Sequence, residues 1–391
     1  MGGGSLNKYF RENIYFYNYD INMEDIPEGI AIIPFLGDIL PVVWLTNSIL
    51  IINELDKNYY ESISEVKKAY IKMYPEANFL GEIKVKKIVD YTYESLNKVC
   101  QLFSGGVDSV STYLSIKEKN PELITIWGSD IPIENDFGWK RLEKVVKEFG
   151  KNNNSKNIIL KSNFRKIYSS RKLTKDFSGQ IKTNWWLGIQ HGIALISLVI
   201  PYAYKNKIKT IYIPASFNKY DQDVKCASYP TIDESIKFGS GNVVHEGFNY
   251  TRQDKILLIS NYLKETNDKN INLKVCWEGD DGKNCSHCEK CLRTITGLYL
   301  SDADPNKLGF NIEKEKIKEI IFNNDIELEV ADWEDLQRFL LKNKERFKKE
   351  NWINWLMNFD IKKHNKDLLF KKNNVFYKLK LKIKKFLKNK N

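Results

Sequence analysis

The chain does not open with a charged segment followed by an apolar run and a small-residue cleavage site, so nothing in it argues for secretion. The most apolar early stretch, 29–52, is interrupted by Pro34, Gly37, Asp38 and Pro41, which argues against a span and for buried strands. No internal repeat is evident, so a stacked-repeat architecture is not expected. Most of the chain has no net charge either. The total is +11, yet residues 361–391 alone hold twelve lysines against the single Asp367, so everything before them sums to zero. That neutrality argues against a basic nucleic-acid groove across the folded body. Cysteines number six, and four of them crowd into 276–291. In a cytosolic chain, which is the expectation here, such crowding points to a metal rather than to disulfides.

What is present is an ordinary globular composition. With 391 residues, 42% of them hydrophobic and 13% aromatic, the chain is long enough for two or three domains. The expected organisation has three parts. Residues 1–95 read as a small N-terminal α/β accessory domain, in which IAIIPF, VVWL and SILIINEL look like short strands and YYESISEVKKAYIKMY like a helix. From 96 to 300 the pattern alternates. VCQLFS, LITIWGSD, NIILKS and IKTIYIPAS have the length and β-branched content of buried parallel strands, and helical segments separate them. This predicts an α/β domain with a doubly wound, mainly parallel sheet. Residues 301–391 read as helical and end in a basic amphipathic tail, where Val375, Leu379, Ile383, Phe386 and Leu387 recur at helical spacing among lysines. Such a tail is a candidate for an anionic membrane surface, for RNA, or for packing on its own domain.

The stretch SGGVDS, Ser104 to Ser109, falls where the first strand of the alternating region ends and a helix begins. Free amides and the dipole at a helix N-terminus favour an anion, and glycine lets a phosphate approach the backbone closely. No Gly-Lys-Ser/Thr follows, and the spacing of a dinucleotide GxGxxG turn is missing. A plain strand-to-helix turn capped by Asp108 and Ser109 is the alternative reading. SGGVDS resembles the SGGxDS signature of the PP-loop ATP pyrophosphatases, the adenine nucleotide alpha hydrolase superfamily. The resemblance implies cleavage of ATP between the α and β phosphates. Ser104, Gly105, Gly106, Val107 and Ser109 would then hold the pyrophosphate, and Asp108 would position it or help hold Mg²⁺. Ser104 and Asp108 are the expected catalytic pair, with further nucleotide contacts from Asp130 after the second strand and Ser216 after the fourth.

A second motif is CWEGDDGKNCSHCEKC. Cys276, Cys285, Cys288 and Cys291 give C-x8-C-x2-C-x2-C, which suits a closed tetrahedral Zn²⁺ with a structural role. An iron–sulfur cluster is the chemical rival, although ferredoxin runs place their fourth cysteine after the triplet rather than before it. His287, inside a spacer, reads as a bystander. The cysteine spacing followed by Leu292 and Arg293 resembles the zinc motif of the 7-cyano-7-deazaguanine synthases, and with SGGVDS it covers about half of the chain. That resemblance implies a divergent ATP-dependent synthetase that adenylates a carboxyl or carbonyl oxygen and installs nitrogen from ammonia. The middle segment 220–255 departs from the family pocket, so the acceptor is left open. Sulfur insertion from a sulfur donor, and a non-catalytic nucleotide-binding module, are the competing functions.

Other residues invite roles. Lys182, Gln190 and His191 flank Trp185 and Trp186 at a helix start, with His191 equally readable as a core histidine. Arg252 and Lys255 read as phosphate contacts or as a solvated helix face. Cys226, expected in an exposed loop, is a candidate persulfide carrier.

Overall fold

The computed structural model describes residues 6–373 apart from 222, 267, 269, 277 and 279–282. The lysine-rich tail proposed as a membrane or RNA contact therefore lies, from residue 374 on, outside the described residues. Strands run β1 (Tyr17–Tyr19), β2 (Ile49–Asp56), β3 (Glu82–Val89), β4 (Lys98–Leu102), β5 (Glu122–Trp127), β6 (Asn157–Ser162), β7 (Ile208–Pro214), β8 (Lys237–Phe238) and β9 (Gly241–Glu246). One sheet has the order β1-β6-β5-β4-β7-β9-β8. Its five inner strands are parallel, while β1 and β8 close the edges antiparallel. The fold class expected from the alternating pattern is thus present. The physical reason is visible in β4 to β7, whose residues are buried on both faces because helices cover both.

The first ninety residues differ from expectation. IAIIPF and VVWL are helical, in Glu28–Ala31 and Ile33–Leu45, and only the SILIINEL run is a strand. In Ile33–Leu45 every residue except Phe35 is buried, so the helix is apolar all round. A sequence buried on every side has no amphipathic period, and nothing local tells it from strand. Tertiary packing decides instead: a side chain at Gly37 would start 2.1 Å from Ser197 Oγ and 2.8 Å from the Ile193 carbonyl, so this helix presses its backbone against helix His191–Lys205. Gly37→Ala is expected to cost about 1–3 kcal/mol through overpacking. Its urea midpoint should fall with an unchanged slope, and an unshifted midpoint would show that the two helices can separate freely.

Nor is 1–95 a separate body. The β1 strand pairs with β6 of the main sheet, and compact packing divides the chain into one unit of Met1–Thr251, Asn270–Lys274 and Asp280–Gly282, and a second of Arg252–Lys269, Val275–Gly279 and Lys283–Asn391. The first unit also holds the parallel pair β2 and β3. Described elements of the second unit are helical, beginning at Arg252–Thr266 rather than at 301. One helical stretch, Trp186–Lys205, is apolar and long enough to cross a bilayer, but 78% of its 18-residue apolar window is buried in protein, as in a core helix.

Candidate functional site

Strand order reverses between β4 and β7, the crevice where open α/β sheets take ligands at the carboxyl ends of their strands. Ser104–Ser109 follows β4 at that point. Its shape comes from few interactions. Phe103 is held to the neighbouring strand by its N–H, which donates to the Ile124 carbonyl (2.8 Å), and by its carbonyl, which accepts from Thr125 Oγ1 (2.7 Å). Gly105 then takes φ +76°, a left-handed conformation strained for any residue with a Cβ. Gly106 is the N-cap of helix Val107–Ile116, and Ser109 Oγ reaches back to its carbonyl at 3.1 Å. The Ser104 amide donates to Ser109 Oγ (3.4 Å), and the two hydroxyls lie 3.5 Å apart, which closes the turn. Ser104 is exposed, Gly106 and Asp108 are half-buried, and Ser109 is buried. The first helical amides, bare backbone and serine hydroxyls of such a turn suit an anion.

Asp130 and Ser216 are both exposed and follow β5 and β7, so the topology brings them to the same edge as Ser104–Ser109. Two residues that sequence reasoning missed also belong to this unit. Lys274 donates its N–H to the Gly105 carbonyl at 2.8 Å, a contact with no signal in a sequence that separates the two so widely. His245, near the end of β9, has its Nδ1 2.7 Å from Asp233 Oδ2, which also accepts from Ser228 Oγ at 2.8 Å. Burial pushes the Asp233 carboxyl up, and the histidine partly offsets this.

Lys182, Gln190 and His191 are not brought together. Lys182 is exposed and pairs with Glu76 at 2.6 Å, Gln190 is buried and donates to the Asp38 carboxylate, and His191 Nδ1 stands 3.5 Å from Cys226 Sγ. Between them Trp186–Gln190 forms a turn of π-helix. Tyr70 of helix Lys57–Met73 and Tyr74, which caps that helix, satisfy carbonyls of that turn: Tyr74 donates to Gly188 (2.7 Å) and Tyr70 to Ile189 (2.6 Å). The expected exposed loop at Cys226 is not found. The thiol is fully buried and its pKa is pushed up to about 12 by that burial, because residues 227–233 pack against the start of helix His191–Lys205, where Ala227 donates its N–H to the Leu187 carbonyl (2.8 Å) and Ser228 and Asp233 crowd Gly192. Cys100 is buried within β4.

In the second unit the four remaining cysteines meet. Cys276 Sγ and Cys288 Sγ are 3.8 Å apart, Cys285 Sγ and Cys291 Sγ 3.9 Å, and all four sulfurs lie within 4.8 Å of one another. Four thiolates bound tetrahedrally at about 2.3 Å would stand about 3.8 Å apart, so the cluster fits a single ion such as zinc. Irons bridged by sulfides would hold their cysteines farther apart. Local structure sets the geometry: Cys288 caps helix Glu289–Leu300, Cys291 lies in its first turn, and the Cys288 amide donates to Cys285 Sγ at 3.2 Å. Asn284 Oδ1 accepts from the amides of Val275 and Cys276 (2.9 and 3.2 Å) and carries the distant ligand to the triplet. His287 is exposed, and its Nδ1 lies 2.6 Å from the Cys285 carbonyl oxygen. Lys255 is buried, and Arg252 donates to Thr294 Oγ1 at 3.1 Å, so neither belongs to a solvated helix face.

No protein-family model, no curated protein and no solved structure matches the chain.

Proposed function

We propose that the chain is an ATP-dependent, AMP-forming synthetase of the PP-loop type. One observation carries this reading: SGGVDS sits at the reversal point of a parallel sheet, with Gly105 at φ +76° and a helix opening directly behind it. Counted among themselves, the five parallel strands run 3-2-1-4-5, an order shared by doubly wound nucleotide-binding sheets. In this reading Ser104, Gly105, Gly106, Val107 and Ser109 hold the β and γ phosphates, and Asp108 helps place Mg²⁺, which when bound would neutralise charge on the leaving group. A carboxyl or carbonyl oxygen of the acceptor attacks the α phosphorus, the bond to the β phosphate breaks, and pyrophosphate leaves. Ammonia then attacks the activated carbon, the carbon–oxygen bond to AMP breaks, and the nitrogen gives up its proton. Prearranged amides and hydroxyls lower the barrier by stabilising the departing anion without reorganising. Zinc, held by Cys276, Cys285, Cys288 and Cys291, would be structural, since four sulfurs leave no open position.

Sulfur insertion is less well supported, because both cysteines outside the cluster are buried. A non-catalytic nucleotide module is separated by chemistry. Incubation with Mg·ATP, ammonium and a panel of small carboxylic acids, followed by ³¹P NMR, is expected to give AMP and pyrophosphate. ADP with phosphate, or intact ATP throughout, would sink the synthetase reading.

A further inference from the structure

Resting on the nucleotide reading above, we infer that Lys274 supplies a positive charge to the Ser104–Ser109 turn and binds the terminal phosphates of ATP. The stretch 101–116 contains no lysine or arginine and carries the acidic Asp108. Amides and hydroxyls of that stretch would thus have to meet a polyanion beside a carboxylate. Lys274 is the basic residue that the fold straps to the turn. Its N–H donates to the Gly105 carbonyl at 2.8 Å. Its Cβ is 3.7 Å from where a side chain on Gly105 would begin, and its carbonyl is 3.3 Å from the same point on Gly106. The lysine side chain therefore leaves the backbone against the glycine pair itself. Anchorage comes from the preceding residues: Ile271 and Leu273 are buried, Asn272 is exposed, and Lys274 is half-buried. This alternation pins the segment and turns Lys274 away from the core side. The close approach also gives a second reason for the glycines, since a side chain at Gly106 would crowd the Lys274 carbonyl.

The test uses the full chain with Mg·ATP, inorganic pyrophosphate and AMP as probes in titration calorimetry. Lys274→Met keeps the N–H that holds Gly105 and removes the ammonium group. It should weaken ATP and pyrophosphate roughly ten- to a hundredfold, leave AMP unchanged, and unfold at the wild-type midpoint. Lys274→Arg should recover part of the loss. Wild-type affinity for ATP and pyrophosphate in Lys274→Met would overturn the role of Lys274 while leaving the synthetase reading intact. Equal losses for AMP and ATP would overturn it too, because the residue would then act on the fold and not on phosphate. A wild-type chain that binds neither ATP nor pyrophosphate would overturn the nucleotide reading itself.

Discussion

Cys291→Ser protein is expected to lose its metal and, with it, the folded state of the helical unit. Cys291 is fully buried in the first turn of helix Glu289–Leu300, and its sulfur closes the cluster 3.9 Å from Cys285. A structural zinc contributes about 10–16 kcal/mol in small zinc domains, as much as the whole stability of an ordinary domain. Losing one of four ligands forfeits much of that. Elemental analysis should give near one zinc per wild-type chain and far less for the variant. Hydrogen exchange should rise through 252–266, 289–300 and 330–342, the helices of that unit, and less through β4 to β7. Chelation of the wild-type protein should reproduce the pattern. A variant with wild-type zinc and wild-type protection would show that these cysteines hold no metal.

Asp108→Ala is expected to lower AMP formation by roughly 10²–10³ while leaving the fold in place, on the reading that this carboxylate places Mg²⁺ or the pyrophosphate. The turn should keep its shape because hydrogen bonds from other groups close it. Ser109 Oγ reaches the Gly106 carbonyl, and Ser111 Oγ donates to the main-chain carbonyl of residue 108, which alanine retains. Asp108→Asn keeps the shape and loses the charge, so it should be nearly as damaged and should require more Mg²⁺. Initial rates of AMP release across a Mg²⁺ series would check this. Wild-type rates in both variants would remove Asp108 from the chemistry and leave it as a first-turn helix residue.

Much of the site was legible because its signals are local. A glycine pair between an apolar strand and a helix start marks a turn by backbone freedom alone, and Gly105 adopts φ +76° as such a turn requires. The triplet Cys285, Cys288 and Cys291 was equally readable, since a three-residue spacing at a helix start brings sulfurs to one side. Cys226 misled for the opposite reason. Its polar, lysine-bearing flank resembles a surface loop, yet the segment packs against the start of a helix and the thiol is buried. Lys274 was invisible because nothing near it in sequence indicates that its amide pairs with Gly105.

By itself the sequence determined the parallel strands β4 to β7, the glycine turn after the first of them and the cysteine spacing. Each is written in contiguous residues, as burial on two faces, as φ freedom or as side-chain reach. Only the tertiary structure decided that 33–45 is a helix, that 17–19 extends the main sheet, and that Lys274 meets Gly105 while Asp233 meets His245. A segment buried on all sides has no period to read, and contacts between distant residues exist only once the intervening chain has packed.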